Sequence, residues 1–131
     1  MKHSVSVGRK MVAIGKKRGF SNSELEELFA LGYNHDIGYE FGNNKNHAKI
    51  GGMILRNSKY KYWREIYYHG DVDPPYKSVY LDILNLADMQ VDKNGEDVEF
   101  EKRLKDIGER YGFQSDVYAN ASALVERLKN L

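Results

Sequence analysis

Leu31-Gly-Tyr-Asn-His-Asp-Ile-Gly38 is the stretch that decides the fold. Its histidine and its aspartate stand side by side at the end of a segment whose apolar spacing predicts an amphipathic helix. We expect both side chains to face inward, where an unpaired carboxylate is costly in free energy. A buried neighbouring His and Asp need a partner, and a metal ion is the commonest partner that satisfies both. The remaining ligands must then come from other helices.

The helix that precedes this stretch has a clear start signal. Ser21 followed three residues later by Glu24 is the pattern of a capping box, which predicts a helix from there to about Asn34. Its inward face is formed by Leu25, Leu28, Phe29 and Gly32. One further helical turn would place His35 and Asp36 at the two edges of this inward face.

The rest of the chain also has the patterns of helices. The two prolines are adjacent, Pro74 and Pro75, and no alternating strand pattern of useful length occurs. Gly38 and the residues 43–46 are expected in a loop, Lys93-Asn94-Gly95 in a turn, and Asp116 as the cap of the last helix. Further helices are predicted at about residues 2–18, 47–56, 59–69, 77–92, 97–111 and 116–130.

These patterns predict an all-α fold, a compact bundle of about six or seven helices. With 131 residues, the chain is expected to form one domain over residues 1–131. Its candidate metal-site core lies at about residues 3–92, and the C-terminal helices lie at about residues 97–130.

The overall composition excludes several function classes. The 20 basic and 19 acidic residues give a net charge of +1, which provides no general reason to expect a nucleic-acid polymer or a membrane as partner. The absence of cysteine excludes disulfides, thiol catalysis and Cys-ligated metals. Any metal must then be held by His, carboxylate or water, which points to Mn, Fe, Mg, Zn, Co or Ni. No long apolar run and no apolar signal-peptide region is visible, so we expect a cytoplasmic protein. The sequence is compatible with a homo-oligomer.

All four histidines fall on inward faces of predicted helices, together with two aspartates. A single histidine on an apolar face is usually a core residue whose hydrogen bonds are satisfied. Clustered buried imidazoles without a metal repel one another when protonated and leave donors unpaired when neutral. The pattern therefore favours a metal centre over chance packing. The six candidate ligands are His3, His35, Asp36, His47, His69 and Asp88.

The order H…HD…H…H…D on a helical frame resembles the HD-domain superfamily of metal-dependent phosphohydrolases, so the expected bundle is HD-domain-like. The resemblance covers about residues 3–92. Besides the stretch at 31–38, the similar local sequences are His3-Ser-Val-Ser-Val, His47-Ala-Lys-Ile-Gly-Gly-Met-Ile-Leu, Ile66-Tyr-Tyr-His69 and Ile83-Leu-Asn-Leu-Ala-Asp88.

The resemblance implies a division of the six residues between two divalent ions. His3, His35, Asp36 and Asp88 would hold the first ion in this comparison. His47 and His69 would hold the second, with Asp36 bridging the two ions. The implied catalytic residues are Asp36, His47 and His69.

The implied activity is hydrolysis of a small phosphorylated metabolite or nucleotide by a metal-activated water. A di-iron oxygenase on the same ligand set and a non-catalytic metal-binding or ligand-binding module are the alternatives. One or two ions per chain are compatible with the pattern.

Two departures from the family pattern concern the substrate. Tyr39 stands where binuclear family hydrolases often carry a lysine after the HD motif, and Tyr68 precedes His69 where two histidines are often adjacent. Both disfavour polyphosphate and cyclic-dinucleotide substrates. The candidate substrate-binding residues are Tyr39 and Lys45. We expect Lys49 at the surface, and the Lys and Glu residues of 96–110 on a solvated helix face.

Overall fold

The computed structural model describes residues 2–40 and 46–131. Within these ranges the chain forms seven α-helices, a short 3-10 helix at Ile37–Glu40 and no strand longer than one isolated bridge. The prediction of an all-α fold is thereby confirmed. The helices are α1 (Lys2–Lys17), α2 (Asn22–Asn34), α3 (His47–Asn57), α4 (Trp63–Tyr68), α5 (Val79–Asp88), α6 (Phe100–Tyr111) and α7 (Asp116–Leu128).

Helices α1 and α2 form a tight antiparallel pair. The predicted capping box starts α2, because the Glu24 backbone N–H donates to Ser21 Oγ at 3.2 Å and the Ser21 N–H donates to Glu24 Oε1 at 2.8 Å. Farther along, the backbones of Gly8 and Gly32 meet. A Cβ atom on Gly32 would lie 2.6 Å from the Cα of Gly8. This close approach holds the first helix over the end of α2, where His35 follows.

Helix α4 is shorter than predicted, because the chain between α3 and α4 forms a turn. Lys59 adopts a positive φ of 63°, and the Tyr60 backbone N–H donates to the Leu55 carbonyl at 2.8 Å. These features end α3 in a left-handed turn and delay the start of α4 to Trp63. At its other end α4 stops at Tyr68, because His69 adopts an extended backbone with φ −63° and ψ 140°, so the predicted position of His69 inside the helix was wrong.

Helix α5 is also shorter than the predicted 77–92. Ser78 caps its start by accepting the Leu81 N–H at 3.0 Å. Beyond Asp88, Val91 pairs with Asp97 in an antiparallel bridge. Asp92 Oδ1 accepts the backbone N–H groups of Asn94 and Glu96, so turn chemistry replaces the last predicted turn of helix.

Two other boundaries differ from the prediction. Helix α6 begins at Phe100 because the bridge and its turn occupy the preceding residues. Ser115, and not Asp116, caps α7, since Ser115 Oγ accepts the Tyr118 N–H at 3.1 Å.

The loop predicted at Gly38 and residues 43–46 is only partly described. Gly38 belongs to the 3-10 helix and not to a loop, and residues 43–45 lie outside the described residues.

The interior contains two apolar clusters that share the region of α5. The first lies among α1, α2, α4 and α5, and its buried residues are Val7, Met11, Leu28, Leu31, Ile66, Ile83, Leu84, Ala87 and Val91. The second joins the end of α5 to α6 and α7, and its buried residues are Met89, Ile107, Ala121, Leu124, Val125 and Leu128. In the described part of the chain, every helix is too short or too polar to cross a lipid bilayer.

Candidate metal centre

The six predicted ligand residues meet where the ends of five helices converge. Each side chain stands within or next to a terminal turn, so the bodies of the helices remain free to fill the core. The positions are His3 in the first turn of α1, His35 directly after α2, Asp36 before the 3-10 helix, His47 at the start of α3, His69 directly after α4 and Asp88 at the end of α5.

Asp36 lies at the centre of this group and presents its two oxygens to different histidines. Oδ2 is 3.2 Å from His35 Nε2 and 3.7 Å from His3 Nε2. Oδ1 is 3.2 Å from His47 Nε2 and 3.5 Å from His69 Nε2. One carboxylate therefore contacts two histidine pairs, one with each oxygen.

Asp88 completes the first of the two pairs. Its Oδ1 lies 2.8 Å from His3 Nε2 and 3.3 Å from His35 Nε2. The ligand atoms of His3, His35 and Asp88 lie within 4.8 Å of one another, a spacing that suits a single ion.

The second pair brings two ring nitrogens face to face. His47 Nε2 and His69 Nε2 are 3.2 Å apart beside Asp36 Oδ1. The ligand atoms of His35, Asp36 and His69 also lie within 4.8 Å of one another, so the two groups are contiguous through Asp36.

Three of the histidines are oriented by backbone carbonyls on the side away from Asp36. A carbonyl oxygen only accepts hydrogen bonds, so in the neutral rings Nδ1 carries the proton and Nε2 offers its lone pair. This is the arrangement by which proteins orient metal-binding histidines. The pairs are His3 Nδ1 with Asp92 O at 2.9 Å, His35 Nδ1 with Gly32 O at 2.6 Å and His69 Nδ1 with Ile66 O at 2.6 Å.

The electrostatics of the group favour a positive charge among these side chains. Burial alone lowers the pKa of His35, but the carboxylates of Asp36 and Asp88 outweigh burial and raise the pKa well above its usual range. Burial alone raises the pKa of Asp36 and Asp88, and the charge of His35 with the nearby imidazoles reverses this, so that both pKa values lie well below the usual range. These directions favour ionised carboxylates, with the charge of His35 as their counter-charge.

A cleft opens above Asp36, His47, His69 and Asp88, with a volume of about 150 Å³. Helices α6 and α7 form its far wall. Because the sequence placed the ligand set in residues 3–92 alone, the contribution of these two helices was not predicted.

Tyr39 lies at the edge of the cleft, as its candidate role in substrate binding requires. Its ring stacks on the ring of His47, with centroids 4.1 Å apart and planes at 10°. Burial, together with the negative charge of Asp36, raises the pKa of Tyr39, so its hydroxyl stays protonated and can donate a hydrogen bond. Lys45, the other candidate, lies outside the described residues.

Arg103 and Arg110 of α6 also line the cleft, and sequence reasoning missed both. Arg103 Nε donates to the Asp88 carbonyl at 3.3 Å, and its Nη2 lies 3.7 Å from Asp88 Oδ1. The prediction of a solvated face concerned the Lys and Glu residues of 96–110, such as Lys105 and Glu109, which are exposed, and it did not consider the arginines. The available signal was spacing: Arg103, Ile107 and Arg110 stand at i, i+4 and i+7, and Ile107 is buried.

Lys49 lies at the surface, as predicted, with a side chain that is 40% exposed, and it forms an ion pair there. Its Nζ donates to Asp71 Oδ2 at 2.6 Å and to the Tyr67 carbonyl at 2.9 Å. Lys49 is two residues after His47, and Asp71 is two residues after His69. The ion pair therefore connects the two chain segments that carry the second histidine pair.

Comparison with protein-family models, with curated proteins and with solved structures found no match for this chain. The resemblance to HD-domain phosphohydrolases consequently stays a prediction. Its support comes from the residues and from the geometry described above.

Proposed function

We propose that this protein is a metal-dependent phosphohydrolase of the HD-domain type, with two divalent ions held by the six convergent residues. The observation that carries the proposal is the position of the Asp36 carboxylate. Each of its two oxygens faces a different pair of histidine Nε2 atoms. A carboxylate with this environment is suited to bridging two cations.

The donor set fits divalent ions such as Mn, Fe, Co, Ni or Zn. Four imidazoles and two carboxylates provide nitrogen and oxygen ligands without thiolates, which these ions accept. The carbonyl-bound Nδ1 atoms orient the rings. When bound, the ions supply Lewis acidity that polarises phosphoryl oxygens and lowers the pKa of water.

The proposed reaction is hydrolysis of a phosphate monoester. The oxygen of a water molecule bonds to phosphorus, the ester P–O bond breaks, and a proton from the water is transferred to the leaving alcohol oxygen. The products are inorganic phosphate and the alcohol. Asp36, His47 and His69 line the cleft, where they would hold the ions next to the reacting phosphorus. Tyr39, whose ring stacks on His47 at the edge of the cleft, would donate its hydroxyl to a phosphoryl oxygen.

The test is phosphate release from a panel of phosphate esters after the purified protein is loaded separately with Mn, Co, Mg, Zn or Fe. We expect turnover with at least one of these ions and none after chelation. Bound metal without turnover on the whole panel would contradict the hydrolase and support a non-catalytic binding module.

A di-iron oxygenase is the second candidate, because four of the six ligand residues are histidines. Nitrogen-rich sets suit iron better than magnesium. This candidate predicts oxygen uptake that requires iron, whereas the hydrolase predicts phosphate release with Mn or Co in the absence of oxygen.

A further inference from the structure

The cleft above the candidate metal centre carries two arginines on one wall. Both belong to α6, one helical turn on each side of the buried Ile107. Arg103 is nearly buried, with a side chain that is 12% exposed, whereas Arg110 is exposed at the mouth. Both arginines line the same cleft as Asp36 and Asp88, and Arg103 Nη2 lies 3.7 Å from Asp88 Oδ1.

Both arginines keep donors available to a ligand. Arg103 uses Nε for the Asp88 carbonyl and turns Nη2 toward Asp88 Oδ1, which leaves part of its five N–H groups for the cleft. Arg110 lies 5.7 Å from the ring centroid of Tyr111, and the described residues provide no carboxylate in ion-pair distance. Planar guanidinium groups match the oxygens of a phosphate.

The wall beside the arginines is apolar. It is formed by Ile107 of α6 together with Val117 and Leu124 of α7. The volume of about 150 Å³ is below the range of about 300–1,000 Å³ that pockets for drug-sized ligands occupy. A compact group therefore fits this wall, while a complete nucleoside extends beyond it.

We infer that the cleft binds a phosphate monoester of a small, partly apolar alcohol. Arg103 and Arg110 hold the phosphoryl oxygens, and the alcohol part lies on Val117 and its apolar neighbours. This inference rests on the proposed function, because the phosphate ester is the substrate of the proposed hydrolysis. The binding of its phosphate group by the two arginines can be tested without turnover.

The first experiment is calorimetric titration of inorganic phosphate into Mn-loaded protein, with the metal content of every variant measured beforehand. Arg110→Gln is the cleaner variant because Arg110 contacts none of the six ligand residues, and Arg103→Gln tests the buried position. We expect each variant to bind phosphate about tenfold more weakly, since a charge-assisted hydrogen bond is lost. Lys105→Gln removes an exposed cation from the same helix and is expected to leave the affinity unchanged.

Unchanged phosphate affinity in Arg110→Gln and Arg103→Gln would overturn the inference, and so would a Mn-loaded wild type that binds no phosphate. If the wild type takes up no metal, the proposed function fails. Phosphate titration of that metal-free protein still tests the arginines: loss of affinity in both variants supports the site, and equal affinity overturns it.

The second experiment compares phenyl phosphate with methyl phosphate. We expect phenyl phosphate to bind more tightly, and Val117→Thr to reduce this advantage about fivefold because a methyl of the half-buried Val117 on the cleft wall is replaced by a hydroxyl. The exposed Val79→Thr is the control. Equal affinity for the two esters would overturn the apolar part of the inference.

Discussion

At the residue scale, the chemistry of the candidate centre is concentrated in Asp36. Its two oxygens contact different histidine pairs, so the residue joins the two groups, whose His35 and His69 rings also meet with centroids 5.2 Å apart. The four histidines and two aspartates were predictable from the sequence, because each occupies an inward helical position or follows one. Arg103 was not predictable in the same way, since its contact with Asp88 depends on how α6 packs against α5.

The first prediction concerns Asp36→Asn, which keeps the shape of the side chain and removes one anionic oxygen. We expect metal affinity to fall by more than about tenfold, because the amide cannot bridge two cations as a carboxylate does. Elemental analysis after equilibration with Mn checks the result. Asp73→Asn is the matched control at an exposed surface ion pair, and an Asp36→Asn protein with the metal content of the wild type would contradict the bridging role.

At the element scale, helix existence was predictable and several helix ends were not. The capping box of α2 is a local signal, and it appears as expected. The ends of α3 and α5 depend on a left-handed Lys59 and on the side-chain bonds of Asp92, which compete with continued helix. Apolar periodicity does not report these turns, so the predicted helices were too long.

The second prediction concerns the contact between α1 and α2. Gly32→Ala introduces a Cβ atom that would lie 2.6 Å from the Cα of Gly8, a backbone atom that cannot rotate away. We expect the free energy of unfolding to fall by about 1–3 kcal/mol, as in other overpacked sites. Urea unfolding measures the change. The control is Ser23→Ala on the exposed face of α2, and equal stability of Gly32→Ala and wild type would contradict the close packing.

The third prediction concerns the ion pair that connects α3 to the segment after α4. Lys49→Met removes the ion pair with Asp71. We expect the affinity of the site for the more weakly bound metal ion to fall by up to about tenfold. The free energy of unfolding should change by less than about 1 kcal/mol, because both side chains are 40% exposed and screened by solvent. Metal titration and urea unfolding are measured together.

Lys10→Met removes a comparable ion pair with Asp97, away from the histidines, and serves as the control. If Lys49→Met and Lys10→Met have the same effect on metal affinity, the positioning role of Lys49 is wrong.

At the scale of the whole molecule, two parts with separate apolar clusters enclose the cleft. The first part carries the six convergent residues, and the second part supplies the arginines and the apolar wall. Sequence reasoning located the first part because its histidines stand out individually. It missed the wall of the cleft because that wall forms only when the C-terminal helices pack on the end of α5.

The fourth prediction concerns chelation and the stability of the whole domain. An ion that binds the folded chain raises the free energy of unfolding, by about 2.7 kcal/mol when its free concentration is 100 times its dissociation constant. We therefore expect Mn to raise the melting temperature and EDTA to reverse the rise. Asp88→Asn should respond less than the wild type. A wild-type melting temperature that is identical with Mn and with EDTA would contradict metal binding.

The most direct test of the central claim is the number of metal ions per chain in purified protein after equilibration with Mn and removal of loosely bound ions. A centre in which Asp36 bridges two ions predicts two per chain by elemental analysis. One ion per chain would contradict the bridge and leave His47 and His69 on the substrate side. No bound metal would contradict the metal centre itself.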